Sequence, residues 1–120
     1  MQHEAYERFN EGRQLLATSN PHAAVVPLER ARDLEPDKAS VREALARAYF
    51  GAGRFSAAEA EFGKVVEIDP VNDYALYGLG LCRIRAGDRA SARGHLRLAV
   101  AMRPDSADYR EALARVTDPS

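Results

Sequence analysis

Val66-Glu67-Ile68-Asp69-Pro70 is the middle copy of a segment that the chain writes three times. Arg32-Asp33-Leu34-Glu35-Pro36 stands 34 residues before it, and Val100-Ala101-Met102-Arg103-Pro104 stands 34 residues after it. Each copy ends an apolar-periodic run on a proline, and the residue before a proline is pushed out of the helical region. The same spacing recurs at Ala24, Ala58 and Ala92, at Leu28, Phe62 and Leu96, and at Gly12, Ala46 and Gly80. A fixed period of this length marks stacked helical units.

Working outward from Pro70, each unit reads as two helices. Val41, Leu45, Ala48 and Tyr49 keep helical spacing behind Ser40 and Glu43, which have the form of a capping box. Gly51-Ala52-Gly53 then breaks the chain, because glycine readily takes the left-handed conformation that ends a helix. Ser56 and Glu59 form a second box-like pair, ahead of Ala58, Phe62, Val65, Val66 and Ile68. Gly87-Asp88 supplies the turn of the third unit; Asn20-Pro21 supplies that of the first, with proline in the first turn, where its missing N–H costs nothing. No segment alternates as a strand would. After Pro104, Ser106 to Val116 reads as one more helix, giving seven.

These residues resemble the tetratricopeptide repeat, whose signature places Leu-Gly and Tyr on the first helix and Ala, Phe and Pro on the second. With repeats at 5–38, 39–72 and 73–106, the second supplies Leu45-Ala46, Tyr49, Ala58, Phe62 and Pro70. The third supplies Leu79-Gly80, Ala92, Leu96 and Pro104. The first keeps Gly12, Ala24, Leu28 and Pro36 but has Glu11 at a leucine position. The usual tryptophan is replaced by Arg8, Arg42 and Leu76, and the third repeat's tyrosine by Arg83. The resemblance implies an all-α, right-handed α-solenoid of three helix–turn–helix units. It makes 1–120 one domain closed by a capping helix at about 106–117. The small residues are expected to let the two helices of a unit approach, while Leu28, Phe62 and Leu96 fill the space between units.

By the same resemblance, the first helix of each repeat lines a concave groove that binds a protein or peptide partner. Carried over by register, the groove takes Tyr6, Phe9, Asn10, Arg13 and Leu16 from the first repeat. It takes Ser40, Glu43, Ala44, Arg47 and Phe50 from the second, and Tyr74, Tyr77, Gly78, Leu81, Ile84 and Arg85 from the third. For Phe9, Phe50 and Ile84, packing within the repeat stands as an equal alternative. Gly78 is expected to leave room for a ligand beside Tyr77. Aromatics and arginines are the residues that most often carry interface energy. Members of the family that dock heat-shock chaperone tails clamp carboxylates with Lys, Asn, Asn, Lys and Arg. The corresponding positions here are Phe9, Arg13, Ala44, Tyr74 and Gly78, which implies that this clamp is absent. Self-association through the groove or the ends of the stack is the alternative use.

Bulk properties narrow the function further. At 46% hydrophobic and 29% charged residues, the chain has the composition of a folded protein. Its net charge of −1 argues against non-specific nucleic-acid binding. The third repeat alone is basic, and Arg89, Arg93 and Arg97 make a stripe at four-residue spacing, read as a solvated face or a secondary basic contact surface. No apolar run is long enough to insert into a membrane, and the N-terminus lacks a signal-peptide pattern, so a cytoplasmic setting is expected. With only Lys38 and Lys64 among 17 basic residues, the composition points to a GC-rich bacterial source.

Catalysis finds no support in these residues. His3, His22 and His95 are isolated and expected at the surface, and Cys82 is expected to be a buried apolar residue. No metal motif, phosphate loop or paired acid–base carboxylates occur, so neither a cofactor nor a metal is expected.

Overall fold

The computed structural model describes residues 1–117. Among them, seven α-helices and no strand form a solenoid: α1 (His3–Ala17), α2 (Pro21–Leu34), α3 (Ala39–Gly51), α4 (Phe55–Ile68), α5 (Asp73–Arg85), α6 (Arg89–Met102) and α7 (Ala107–Val116). Each helix packs on the next in the chain, and α1 also meets α3, as α5 meets α7. The resulting body measures 52 × 25 × 23 Å.

The turns explain why the helices stop where they do. Ser19, Gly53 and Gly87 are one period apart, and all three take positive φ, at 61°, 78° and 79°. Behind them, the N–H groups of Asn20, Arg54 and Asp88 donate to the carbonyls of Leu15, Tyr49 and Arg83 at 2.8, 2.8 and 2.9 Å. That pairing satisfies carbonyls that a helix end leaves open. The second helices end at Glu35, Asp69 and Arg103, each preceding a proline, with φ of −135°, −136° and −140°. These are extended values, as the proline ring requires.

Two expected caps are corrected. Ser40 and Glu43 lie inside α3, whose N-cap is Lys38, and Ser56 and Glu59 lie inside α4, whose N-cap is Arg54. The period sets these starts, and the two glutamates serve neighbouring helices instead. Glu43 accepts from the Asn72 side chain at 3.3 Å, and Glu59 forms an ion pair with Arg83. Side-chain caps occur at Asn72, Asp88 and Ser106, which accept from Ala75, Ser91 and Tyr109 N–H groups.

The expected division between small and large residues holds with one revision. A Cβ at Gly12 would run into Leu28, and one at Gly80 into Leu96, so these leucines fill space within their own repeats. Phe62 lies over Gly78 on α5 of the next repeat, and Leu28 and Leu96 also belong to core clusters that include residues of the following unit. Ala24, Ala58 and Ala92 are wholly buried, as expected of close helix contacts. Among the buried residues, one polar group stands out: Glu61 on α4 accepts from Arg32 on α2 and Arg42 on α3, each at 2.8 Å. The helices of successive repeats are thus joined by a charged contact as well as an apolar one.

Candidate partner-binding groove

The odd-numbered helices share one face because their register positions repeat every 34 residues. Leu16, Phe50 and Ile84 occupy one such row, and Arg13, Arg47, Leu81 and Arg115 another. On this face lies an apolar cleft of about 460 Å³. Leu16, Arg47, Phe50, Tyr74 and Leu81 line it from α1, α3 and α5, while Pro21 and Phe62 reach in from α2 and α4. A second cleft, of about 600 Å³, shares Phe50 and Leu81 with the first and adds Tyr77, Ile84, Arg85 and Arg115. The floor is therefore continuous, and arginines are its charged groups.

Of the residues expected in the groove, Leu16, Arg47, Phe50, Tyr74, Tyr77, Gly78, Leu81, Ile84 and Arg85 come together around these two clefts. Tyr6 is 55% exposed and stands apart from them. Asn10 and Arg13 border a separate shallow depression on α1, and Phe9 is half-buried against the core under the Arg13 guanidinium, 5.3 Å from its ring centre. Phe50 meets both readings, since it packs edge-on against Phe55 at 4.9 Å and still lines both clefts. Ile84 likewise packs on the core beneath the second cleft.

Two expectations for this face are corrected. Ala44 is 5% exposed and belongs to the core. Gly78 lines the first cleft, but the space of its missing side chain is taken by the Phe62 ring, which a Cβ there would meet at 2.5–2.6 Å. The missing side chain is filled by the protein itself. Tyr77 is half-buried and stacked on Tyr109 at 4.7 Å, so it supports α7 as well as the groove. Burial raises the phenol pKa of both Tyr74 and Tyr77, so both remain neutral hydrogen-bonding groups near neutral pH.

Ser19, Pro21, Gly51, Phe62 and Arg115 line the clefts without having been anticipated there. Arg115 was legible, since it shares its register position with Arg47. Its helix, α7, both caps the stack and borders the second cleft. Phe62 was assigned to packing between repeats, which is also true of it.

A second, polar hollow adjoins the groove where α3, α5 and α7 begin, lined by Glu43, Asp69, Asp73 and Asp108 beside Tyr74 and Tyr77. Asp73 is engaged by the Tyr109 hydroxyl at 2.6 Å and by Arg103 at 3.2 Å. The groove therefore runs between an acidic edge and an arginine edge.

The stripe on α6 is not a uniform basic surface. Arg89 and Arg97 are exposed, but Arg93 is half-buried and donates to the Val116 carbonyl at 3.0 Å, at the end of α7. A cation there complements the negative end of the helix. Cys82 is buried, and desolvation pushes its thiol up to about 11, so it is not a nucleophile near neutral pH. His3 and His22 are exposed. His95 departs from expectation in being half-buried; burial, then the nearby Arg83 charge, holds its pKa below the ordinary value. Among the described residues, no group of three or more His, Cys, Asp and Glu side chains is placed to hold a metal. No described helix is long and apolar enough to cross a membrane.

Comparison with known proteins places this geometry. The family model described as the tetratricopeptide repeat matches residues 15–70 and 51–116. Cellulose synthase operon protein C of Komagataeibacter xylinus is 39% identical over 80 residues, which is 66% of this chain and 6% of that protein. The chain thus spans about 6% of the length of the curated relatives it matches. Among solved structures, the first TPR of Spaghetti (RPAP3), bound to the HSP90 peptide SRMEEVD, superposes with a TM-score of 0.91 at 16% identity, covering 98% of this chain and 93% of that one. The Arabidopsis OM64 TPR domain superposes at 0.90 with 21% identity, covering 94% and 93%. At these identities the superpositions establish the fold.

Proposed function

The chain belongs to the tetratricopeptide repeat family, and from that premise we propose that it is a non-catalytic interaction module holding a peptide or helical segment of a partner protein in its concave groove. The carrying observation is the continuous apolar floor formed by Leu16, Phe50, Phe62, Tyr74 and Leu81 with arginines at its margin. Leu16, Phe50, Tyr74 and Leu81 are half-buried and Phe62 is buried beneath them, and a concave apolar cleft of this kind is where a ligand segment is received. An adaptor or co-chaperone-like role fits, with residues 1–120 acting as one domain and the cytoplasm as its setting.

The proposal excludes the heat-shock chaperone clamp. Of Phe9, Arg13, Ala44, Tyr74 and Gly78, only Arg13 brings a cation, and Ala44 and Gly78 are buried. A partner recognised here is held along the groove rather than by its terminal carboxylate.

Selection from a displayed library of short random peptides tests the reading. Wild-type protein should enrich a related set, and Leu81→Ser, at a half-exposed position shared by both clefts, should lose it while circular dichroism still reports a folded helical protein. Enrichment that survives Leu81→Ser, or no enrichment at all, would contradict the proposal.

The alternative is self-association, and one observation favours it. Ile68 and Val71 are 41% and 74% exposed around the turn at Pro70, an apolar pair that a second copy could cover. Light scattering over a concentration series separates the two. A concentration-dependent dimer abolished by Val71→Asp would support self-association, and a monomer throughout would remove it.

A further inference from the structure

Two sets of arginines in this chain are used differently, while Arg54, Arg89, Arg93, Arg97 and Arg110, away from the groove, also form no ion pair among the described residues. Arg30, Arg32, Arg42, Arg83 and Arg103 each form an ion pair with a carboxylate of another helix. They serve the contacts between helices. Arg13, Arg47 and Arg115 form none among the described residues, and neither does Arg85.

Three of this second group occupy one register position. Arg13, Arg47 and Arg115 lie on α1, α3 and α7, with Leu81 between Arg47 and Arg115 on α5. Arg85 follows Leu81 by one helical turn and makes up for the interruption. Its guanidinium lies 5.2 Å from the Phe55 ring centre and 6.0 Å from that of Phe50. A guanidinium stacked on a ring keeps its in-plane donors, which suit a carboxylate. Arg47 borders the first cleft, and Arg85 and Arg115 border the second. Arg47, Arg85 and Arg115 therefore run along the apolar floor, while Arg13 stands outside it.

The opposite edge is mainly acidic, with Glu43 and Asp108 near the starts of α3 and α7, Asp69 at the end of α4, and Arg103 beside them. A segment lying in the groove thus meets cations on one flank and anions on the other. Like charges placed against such an edge are disfavoured, which fixes orientation as well as composition.

Resting on the groove reading, we infer that the occupant is an internal segment of another protein that sets apolar side chains into the Phe50–Leu81 floor and carboxylates against the Arg47–Arg85–Arg115 edge. Uncharged or basic residues face the Glu43–Asp108 edge. Recognition is by side-chain carboxylates and needs no free C-terminus.

The test uses the folded full chain and a random-peptide library displayed without a free C-terminus. Enriched peptides should combine Leu, Ile or Phe with an excess of Asp and Glu, and their affinity should fall as salt is raised. Replacing the acids of an enriched peptide by Gln and Asn should weaken binding about tenfold, as loss of charge-assisted contacts does. Arg47→Gln with Arg85→Gln should weaken the acidic peptide similarly and leave its neutral version unchanged. Enrichment of apolar peptides with no acid excess, still lost in Leu81→Ser, would overturn this inference and leave the groove standing. Enrichment that Leu81→Ser does not affect, or none, would overturn both. Peptides with a basic excess would place the occupant on the acidic edge and refute the assignment.

Discussion

At Gly78 the backbone of α5 and the ring of Phe62 share a space that holds only one of them. Gly78→Ala should therefore destabilise by about 1–3 kcal/mol through overpacking, despite alanine's better helix propensity. In a Phe62→Leu background the clash is relieved, and the same substitution should be neutral or stabilising. Urea unfolding of the four proteins measures this coupling; additive effects would show that the ring does not rest on Gly78. His95 makes a second prediction at this scale. Its folded pKa is depressed, chiefly by burial, below the 6.5 of an unperturbed imidazole. The unfolded chain then binds the proton first as pH falls through 6.5, so the His95 contribution is present above that value and is lost below it. Thermal melts should show wild type losing stability relative to His95→Gln as pH falls below 6.5; parallel pH profiles would exclude the effect.

Between helices, the buried Glu61 carboxylate holds α2, α3 and α4 through Arg32 and Arg42. Removing it leaves two guanidiniums, 24% and 15% exposed, without their shared partner. Glu61→Ala should cost about 3 kcal/mol, the scale of a broken buried ion pair. Arg32→Met with Arg42→Leu in the same chain should recover most of that loss in chemical denaturation, and a persistent deficit would point to a packing role instead. Helix number, the proline stops and the Gly53 and Gly87 turns were legible because local sterics decide them. The starts of α2 and α7 were also legible, at Asn20-Pro21 and Ser106, but those of α3 and α4 were not, since Ser40 and Ser56 imitate caps while the period places the N-caps at Lys38 and Arg54. Nor was the use of Arg93, because its partner is a backbone carbonyl on α7 that carries no sequence signature. Most of the groove was readable from register alone. Phe9, Ala44 and Gly78 were harder, because sharing a face does not reveal whether the next helix covers it.

The solenoid, 52 Å long, presents one face on which the apolar floor coincides with arginines that form no ion pair among the described residues. The outer faces carry scattered exposed apolar residues such as Val26 and Leu98. Tyr109, stacked on Tyr77 and bonded to Asp73, ties α7 to that groove, so the seventh helix both covers the end of the stack and extends the binding face. The most direct measurement is an amide chemical-shift titration of the isotope-labelled chain with an acidic–apolar peptide recovered by selection. The account predicts that the shifted amides cluster at Leu16, Arg47, Phe50, Tyr74, Leu81 and Arg115. Shifts confined to α2 and α6, around Val26 and Leu98, would contradict it.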